Sequence, residues 1–419
     1  MQARSKIFSS GSLSYVVLSV SAVLILFSRR PRSFLNPQFW AEDGREWYAD
    51  AFNLSIIQAL TLPENGYYQT FSRLAALFAQ IFPLSYGPLI FLVLAVSVQV
   101  IVALFIASDR MALLIPSKSW RIFLAFMYLA LPHSAEVFVN VTNSQWHLAL
   151  LGCLIILAKP PEQTAWKTFD IVAICLMALS GPFCILLLPI AFIRYVTIRR
   201  INLAILTAIT LAGSIIQFSN YFFVGREIKP QLGASVDLLL QILGRHVFIS
   251  TLFGHSGFQK IAKLGLWSEP LYIIASLVGI AALAIVFYKA SSEIRLLLGF
   301  ALLIVAAGLY TPAVSRDAGQ WASIANSETA TRYWFILTFS FLAAFIYFAS
   351  TADRRWLKRS AFVGIFCALL GVAGDWKIFS LQDLNFQHYA REFENAPTGT
   401  EYSIPLNPQP EWEMKLIKK

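Results

Sequence analysis

Eleven apolar runs separated by short polar gaps restrict the fold of this 419-residue chain more than any other feature. Each run is long enough, or nearly so, to cross about 30 Å of hydrocarbon as an α-helix. Helices suit this role because they satisfy their own backbone polar groups without water. The sequence predicts about 11 transmembrane helices, at residues 10–28, 86–108, 121–138, 144–159, 167–180, 183–198, 201–224, 270–288, 295–312, 332–350 and 360–378.

The composition agrees with a membrane location, because 57% of the residues are hydrophobic and only 13% are charged. Soluble proteins carry about 25% charged residues. We therefore predict an all-α integral membrane protein with many spans. The net charge of +10 does not indicate nucleic-acid binding, since the basic residues fall mostly in short gaps and form no basic helix. The four cysteines lie inside apolar runs, without the spacing of metal ligands.

The distribution of basic residues predicts the orientation in the membrane. Short gaps on one side contain most of the lysines and arginines, whereas the gaps at 132–143 and 181–182 contain none. The positive-inside rule therefore places the N-terminus in the cytoplasm and the C-terminus in the periplasm. Arg29, Arg30 and Arg32 oppose this assignment, because they follow the first helix on the outer side.

This orientation divides the chain into a transmembrane domain, residues 1–378, and an outer C-terminal tail, residues 379–419. The longer outer loops are then 29–85 and 225–269. Near-helical apolar spacing predicts helices lying on the membrane surface, two in the first loop and one in the second. They cover residues 45–61, 71–82 and 236–249. Alternating polarity near "EYSIPL" predicts a short strand or extended segment in the tail.

The densest acidic cluster lies in "NPQFWAEDGREWYAD", residues 36–50, directly after the first apolar run. Glu42 and Asp43 are flanked there by Trp40 and Gly44. Burial at the mouth of a helix bundle raises the pKa of a carboxyl group, which makes it a better base for a hydroxyl. The alternative is a solvated loop whose aromatic residues lie in the interfacial belt.

The stretches "FWAEDGREWYADAF" and "PENGYYQTFSRLAAL" resemble the first extracytoplasmic loop of the GT-C superfamily of membrane glycosyltransferases. In size and layout the chain is most similar to bacterial O-antigen glucosyltransferases, including phage-encoded serotype-converting ones. The residue match is specific over about 35–80. The resemblance implies a polyprenyl-phosphate-linked sugar donor, a GT-C-like first outer loop with two surface helices, and a catalytic acid near its start. Glu42 or Asp43 matches that acid, and the sequence does not distinguish them.

The chemistry implied by this resemblance needs no nucleotide site, and no P-loop, Rossmann glycine pattern or DxD motif is present. A carboxylate would deprotonate the acceptor hydroxyl as it attacks the anomeric carbon, and a base opposite the leaving group would give inversion. Cations would stabilise the departing phosphate. The candidates are Arg316, Arg332 and Lys229, for which a helix-end anchor or a solvated charge is the alternative role.

A second polar cluster, "LPHSAEVFVNVTNSQWHL", occupies residues 131–148 between two apolar runs. Amide side chains bind sugar hydroxyls and an indole covers an apolar sugar face, so this segment is a candidate for substrate binding. A hairpin loop that is polar for solubility is the alternative. With the first outer loop included, the predicted substrate-binding residues are Trp40, Tyr67, His133, Gln145, Trp146 and His147.

The expected partners are a polyprenyl-phosphate-linked sugar, such as a hexose like glucose, a lipid-linked glycan acceptor and membrane lipid. The expected location is the bacterial inner membrane, and the product a modified O-antigen of lipopolysaccharide. We predict no cofactor and no metal. Glu42 and Asp43 with a histidine would be a weak Mg²⁺ or Mn²⁺ site, because adjacent carboxylates lack a regular ligand spacing.

Two other functions remain open. A transporter or flippase of a lipid-linked sugar needs ionisable residues inside the membrane and usually repeated halves. Asp170 is nearly the only acid close to an apolar run, and no halves match. An O-antigen polymerase or ligase would carry arginine-rich outer loops, whereas this chain concentrates acids in its first outer loop.

Overall fold

The computed structural model describes residues 10–224, 231–315, 318–328 and 330–419, and the chain is mostly helical. Among these residues, seven helical elements are long and apolar enough to cross a membrane. They are Leu84–Ala107, Ile201–Asn220, Val236–Lys263, Glu269–Lys289, Ser292–Tyr310, Thr331–Thr351 and Arg355–Gly374. Shorter apolar helices accompany them. A membrane-embedded helical protein is therefore supported, while eleven crossings and their orientation stay predictions.

The helices follow one another with short connections. The first part of the chain contains α1 (Ser10–Arg29), α2 (Pro31–Leu35), α3 (Ala49–Asn53), α4 (Ile56–Thr61), α5 (Thr70–Ala79), α6 (Gly87–Ala107), α7 (Lys118–Leu129), α8 (Ser144–Leu157), α9 (Thr164–Ala178) and α10 (Phe183–Ile198). The second part contains α11 (Ile201–Val224), α12 (Val236–Ile242), α13 (Ser250–Lys263), α14 (Glu269–Lys289), α15 (Ser292–Tyr310), α16 (Gln320–Asn326), α17 (Phe335–Thr351), α18 (Arg355–Gly374) and α19 (Phe386–Asn395). Wider or tighter helical turns cover Asp43–Tyr48, Leu84–Tyr86, Asp109–Leu113, Leu243–Ile249 and Thr331–Trp334.

Helix α8 is the centre of the bundle, because all of its residues are buried. Helices α6, α10, α15 and α17 pack around it. The outer helices keep large apolar side chains exposed, including Val93, Phe192, Ile215 and Val363. A helix that is apolar all round is buried in a large core or in a membrane. The exposed apolar side chains therefore agree with a surface that faces lipid.

The predicted span at 121–138 is wrong in length, since α7 ends at Leu129 and has 12 residues, about 18 Å. Pro132 follows closely and disfavours a helical residue before it. Residues 130–143 are non-helical yet mostly buried. Such backbone is tolerated at membrane depth only where protein groups satisfy it. Here the amide of Asn143 donates to the Asn140 side chain (2.8 Å) and its Nδ2 to the Glu136 carbonyl (3.0 Å).

The predicted surface helix at 236–249 is also too short. The helical element runs on to Lys263 and packs against α14 and α18, so the loop 225–269 is not simply an exposed outer loop in its described part. Gly254 interrupts the element with φ 70° and ψ 179°. A β-carbon there would meet the Asp375 carboxylate at 2.5 Å. That carboxylate accepts the N–H groups of His255 (2.7 Å) and Ser256 (2.9 Å), which begin the next helical segment.

The first loop lies at one end of the bundle, beside the turn between α9 and α10. The Gly181 N–H donates to the Tyr68 carbonyl (2.8 Å), and the Thr70 N–H donates to the Leu179 carbonyl (2.9 Å). Both segments therefore share one end, as the sequence predicts. Of the two predicted surface helices in this loop, 71–82 corresponds to α5. The stretch 45–61 is divided into Asp43–Tyr48, α3 and α4.

The arginine cluster after α1 has a structural use that explains its position. The Arg29 guanidinium is buried and donates to the carbonyls of Leu129 (2.8 Å) and Leu131 (3.1 Å). It also approaches the carbonyl of Asp375 (3.4 Å). These carbonyls follow the ends of α7 and α18 and would otherwise lack partners. Hydrogen bonds to helix ends therefore hold Arg29 at this end of the bundle. The positive-inside rule considers only the charges in loops and does not include such bonds.

The C-terminal tail packs against the first loop. It forms α19 and an antiparallel hairpin of β1 (Glu401–Pro405) and β2 (Glu413–Ile417), in which Glu401 pairs with Ile417. The strand predicted near "EYSIPL" is confirmed, whereas the sequence does not predict the helix α19 that precedes it. The Asn53 side chain donates to the Lys415 carbonyl (2.9 Å) and accepts the Ile417 N–H (3.0 Å).

Candidate functional site

Asp43 is the most deeply placed acid of the first loop, with 3% of its surface exposed. Its Oδ1 accepts the N–H (2.8 Å) and the hydroxyl (2.7 Å) of Thr142, and its Oδ2 lies 3.4 Å from the Val141 amide. Among the described residues no lysine or arginine forms an ion pair with it. Burial raises the pKa of Asp43 to about 7, although the bonds from Thr142 oppose the rise. The carboxyl group can therefore exchange a proton near neutral pH.

The orientation of Asp43 is set by neighbours on both sides. The Trp47 indole N–H donates to the Thr142 hydroxyl oxygen (2.9 Å). Because an indole only donates, the Thr142 hydrogen is left to point at Asp43. On the other side, the Ala41 N–H donates to the Asn407 carbonyl of the tail (2.5 Å). A β-carbon at Gly44 would meet the Leu406 side chain at 2.8 Å, so the tail fits closely over this turn.

Asp43 lines a small cavity of about 20 Å³ together with Arg30, Trp40 and Asn140. That volume is enough for a water molecule. A larger pocket of about 270 Å³, near the lower size limit of small-molecule sites, lies beside it. The two share the walls formed by Ser33, Gln38 and Leu381. The larger pocket thus leads toward the buried carboxyl group.

Arg30 and Ser33 bring unsatisfied polar groups to this cavity. They are 4% and 8% exposed, and neither Arg30 Nε nor Ser33 Oγ has a hydrogen-bond partner. The guanidinium lies over the rings of Phe138 (5.3 Å) and Phe379 (5.0 Å), and no described carboxylate forms an ion pair with it. Burial, and then the Arg29 charge, lower the Arg30 pKa to about 9, so it stays cationic at neutral pH. A buried, unpaired cation is unfavourable unless an anion joins it.

Arg332 is not free to bind a phosphate as predicted, because its guanidinium is paired with the Glu136 carboxylate. The second oxygen of Glu136 accepts the Arg332 backbone N–H (3.0 Å) and the Thr331 hydroxyl (3.3 Å). The other predicted phosphate ligands, Arg316 and Lys229, lie outside the described residues. Sequence reasoning missed Arg30, and the available signal was its conflict with the positive-inside rule.

The other acids of the first loop are not among the residues that line the cavity. Burial raises the pKa of Glu42, and the nearby Arg332 charge opposes the rise. Burial and the Glu46 charge raise the Glu64 pKa to about 7. Asp50, by contrast, pairs with the buried Arg73 guanidinium at 2.5 Å. Glu42 and Asp43 are therefore distinct, because Asp43 lines the cavity and Glu42 does not.

The predicted sugar-binding residues fall into different places. Trp40 lines the cavity beside Asp43. Tyr67 closes a tight turn with Glu64, in which Asn65 and Gly66 have positive φ, and its side chain is half-buried.

The residues predicted from the second polar cluster are mostly buried. Gln145 Oε1 and Trp146 Nε1 are buried and lack hydrogen-bond partners, and the Trp146 ring packs against Phe183 and Tyr333. His147 is predicted to bind substrate, but it lies in the core rather than in the outer site. Its ring nitrogens contact the Tyr128 hydroxyl (2.7 Å) and the Val137 carbonyl (2.8 Å). His133 lies in a separate histidine cluster.

The described residues contain one group of three side chains close enough to hold a metal ion, and it does not include Glu42 and Asp43. That group is His133, His255 and Glu328. At Asp43, the carboxylate oxygen Oδ1 already accepts two hydrogen bonds from Thr142.

The sequence matches no model of a known protein family. A comparison with curated proteins gives no match either.

Proposed function

We propose that this protein is a membrane glycosyltransferase. It moves a sugar, a hexose such as glucose, from a polyprenyl phosphate to a hydroxyl of a surface glycan at the outer face of a bacterial cytoplasmic membrane. One observation carries the proposal: a buried carboxyl group with a pKa near 7 shares a cavity with a buried arginine, and within the described part of the chain neither group has an ionic partner. The resemblance of residues 35–80 to GT-C enzymes supplies the donor class.

In this proposal Asp43 is the general base. It takes the proton of the acceptor hydroxyl while the hydroxyl oxygen forms a bond to the anomeric carbon. The bond from that carbon to the phosphate oxygen breaks, and the polyprenyl phosphate leaves with the electron pair. The Thr142 contacts hold Oδ1, which leaves Oδ2, whose nearest donor is 3.4 Å away, for the incoming proton. Positioned proton transfer contributes about 10²–10⁴-fold to a rate.

Arg30 and Ser33 take the phosphate role that the sequence assigned to Arg332. A guanidinium and a hydroxyl without partners match the oxygens of a phosphate, and charge-assisted hydrogen bonds of this kind are strong. The growing charge on the leaving group would be stabilised in a water-poor cavity. Both groups are already in place before substrate binds, so little reorganisation is needed.

An amphiphilic donor would place its head group in the adjoining pocket of about 270 Å³, because the small cavity holds no more than a water molecule. The small cavity beside that pocket also suits such a donor. Its apolar wall is formed by Pro88, Phe91 and Leu92 of α6. The same helix exposes Leu89 and Val93 on its outer surface. A lipid phosphate could therefore keep its chain along α6 in the membrane and its head group at Arg30. A free nucleotide sugar would leave this apolar wall without a partner.

The test measures the mass of the surface glycan in the source cell. Cells with the intact gene, a deletion, and the deletion complemented with Asp43→Asn or Glu42→Gln are compared at equal protein levels. We expect the deletion to remove one hexose per repeat unit and Asp43→Asn to fail to restore it. Asp353→Asn is the control, because this exposed acid follows α17 at the opposite end of the bundle.

Other outcomes separate the alternatives. Shorter glycan chains of unchanged composition would identify a polymerase or ligase. Loss of all surface glycan with a lipid-linked precursor accumulating inside would identify a flippase. Full restoration by both Asp43→Asn and Glu42→Gln would remove the acidic pair from the chemistry.

A further inference from the structure

A second cluster, which the proposed transfer reaction does not use, joins three separate segments. His133 lies in the non-helical segment 130–143, His255 follows the break at Gly254, and Glu328 follows α16. One possible ligand atom from each lies within 4.8 Å of the other two. Two imidazoles and a carboxylate from distant parts of the chain converge here without any helical periodicity that would bring them together.

The hydrogen bonds around His133 determine which of its nitrogens is available. His246 is fully buried, and its Nε2 lies 2.9 Å from the Ile324 carbonyl, which can only accept. Nε2 therefore carries the proton, and Nδ1 of the neutral ring is an acceptor. His133 Nε2 lies 3.0 Å from that Nδ1 and must donate to it. The His133 Nδ1 is then unprotonated, with its lone pair available.

The surrounding groups hold the three side chains in place, as they do around metal ligands. A metal-bound histidine typically donates its second N–H to another group, which is what His133 does toward His246. The Asp375 carboxylate accepts the backbone N–H groups of His133 (2.9 Å) and His255 (2.7 Å) together. Glu328 pairs with Arg245 through one oxygen, and its other oxygen lies 2.5 Å from His255 Nδ1.

We propose that His133, His255 and Glu328 bind one divalent transition-metal ion, and that their chemistry favours Zn²⁺. Histidine nitrogens and a carboxylate are typical zinc ligands, whereas Mg²⁺ and Ca²⁺ prefer oxygen ligands alone. Three protein ligands leave a fourth position for water or another ligand. This position faces the outside, because 46% of the Glu328 side chain and 30% of the His255 side chain are exposed.

Binding would change the present spacing of the ligand atoms. The 2.5 Å contact between His255 Nδ1 and Glu328 would open, and the wider gaps within the group, which are now at most 4.8 Å, would close. Bonds of about 2.0–2.1 Å in a tetrahedral site bring ligand atoms to about 3.3 Å from one another. Glu328 can supply most of this movement because its side chain is half exposed. The ion would then connect the segment 130–143, the broken helix and the chain after α16 at the same end as Asp43.

The test uses the full-length protein in detergent, stripped of metal with a chelator and then titrated with Co²⁺ or Zn²⁺. We expect one ion per chain by elemental analysis and visible absorption typical of tetrahedral Co²⁺. His255→Ala and Glu328→Gln should each weaken binding at least tenfold. His388→Ala is the matched control, because His388 and Glu392 form an exposed histidine–glutamate pair on α19 that has no third ligand.

Thermal unfolding provides a second readout. A ligand that binds only the folded state raises the unfolding temperature. Zn²⁺ should therefore raise it for the wild-type protein and for His388→Ala, but not for Glu328→Gln. No bound ion at equimolar Zn²⁺, or equal binding by wild type and His255→Ala, would show that the cluster is only a hydrogen-bonded histidine network. Metal binding is measured without transfer activity, so a failed glycosyltransferase assay leaves this test intact.

Discussion

Buried charges are paired differently at the two ends of the helical bundle. At the end away from Asp43, each buried arginine meets an acid. Arg110 forms two hydrogen bonds with Asp170 (2.5 and 2.7 Å), and Arg194 pairs with Glu293 (2.8 Å). Arg121 similarly pairs with Asp109 (2.5 Å). Charges at this end hold helices together.

The other end also contains paired arginines, such as Arg73 with Asp50 and Arg332 with Glu136, but the two buried charges that line the small cavity have no ionic partner among the described residues. Asp43 is held by Thr142 and by backbone amides, and Arg30 is flanked by aromatic rings. Paired charges neutralise one another and leave nothing for a ligand, whereas separated ones keep both an acceptor and a cation available. Isolated buried charges cost stability, so their separation does not serve folding, and the proposed function gives it a use.

The largest expected effect is on transfer. Asp43→Asn should lower the transfer rate by about 10²–10⁴-fold, because it removes the proposed base while keeping the shape of the side chain. Initial rates in membrane vesicles with a lipid-phosphate sugar donor would measure this. The comparison variant is Asp170→Asn, which should affect folding instead. A rate for Asp43→Asn above half of the wild-type rate would exclude the base role.

The second prediction compares two buried arginines. Arg110→Met should destabilise the fold by about 3–5 kcal/mol, because it leaves the Asp170 charge buried and unpaired. Arg30→Met should leave stability unchanged or raise it, because it removes an unpaired buried cation and no carboxylate loses a partner, but it should raise the KM for the lipid donor about tenfold or more. Unfolding curves in detergent and donor titrations would measure both. If Arg30→Met unfolds as readily as Arg110→Met, the contrast between the two ends is wrong.

The third prediction concerns pH. Transfer should rise with pH with a midpoint near 7, because burial raises the pKa of Asp43 to about 7 and only the ionised form accepts a proton.

Stability should change in the opposite direction. A raised acid pKa contributes stability that is fully present below the unfolded value of about 3.9 and is lost as pH rises through about 7. The unfolding temperature should therefore fall between pH 4 and pH 8, and less so in Asp43→Asn. If the unfolding temperature falls equally with pH in the wild-type protein and in Asp43→Asn, the Asp43 carboxyl group is not the source of the fall.

The smallest expected effect tests the contact between the tail and the first loop. Gly44→Ala would place a β-carbon 2.8 Å from the buried Leu406 side chain, which should cost about 1–3 kcal/mol and reduce transfer severalfold by moving Asp43. Gly299→Ala in α15 is the control, because its nearest neighbouring atom lies 3.8 Å away. Equal unfolding temperatures for the two variants would show that the tail adapts freely.

Local pattern determined much of this fold. Apolar runs predicted most of the helices, alternation predicted β1, and the Gly181–Pro182 break separated α9 from α10. These features depend on residues adjacent in the chain, whose side chains decide whether a segment prefers lipid, water or a turn. Glu42 and Asp43 could also be found from the sequence, because the density of acids at 36–50 is a local feature of the chain.

Only the tertiary structure decided how the polar groups are partnered. Asp43 meets Thr142 almost a hundred positions later, while Arg332 is neutralised by Glu136 and Arg30 keeps no acid. Pro132 marks the early end of α7 in the sequence, but the groups that satisfy this end and the break at Gly254 reach them from distant segments. They are Arg29 and Asp375. Hydropathy reports where each segment lies relative to lipid. Whether a buried charge is paired depends on which segments pack together, and that is not a property of any one stretch of sequence.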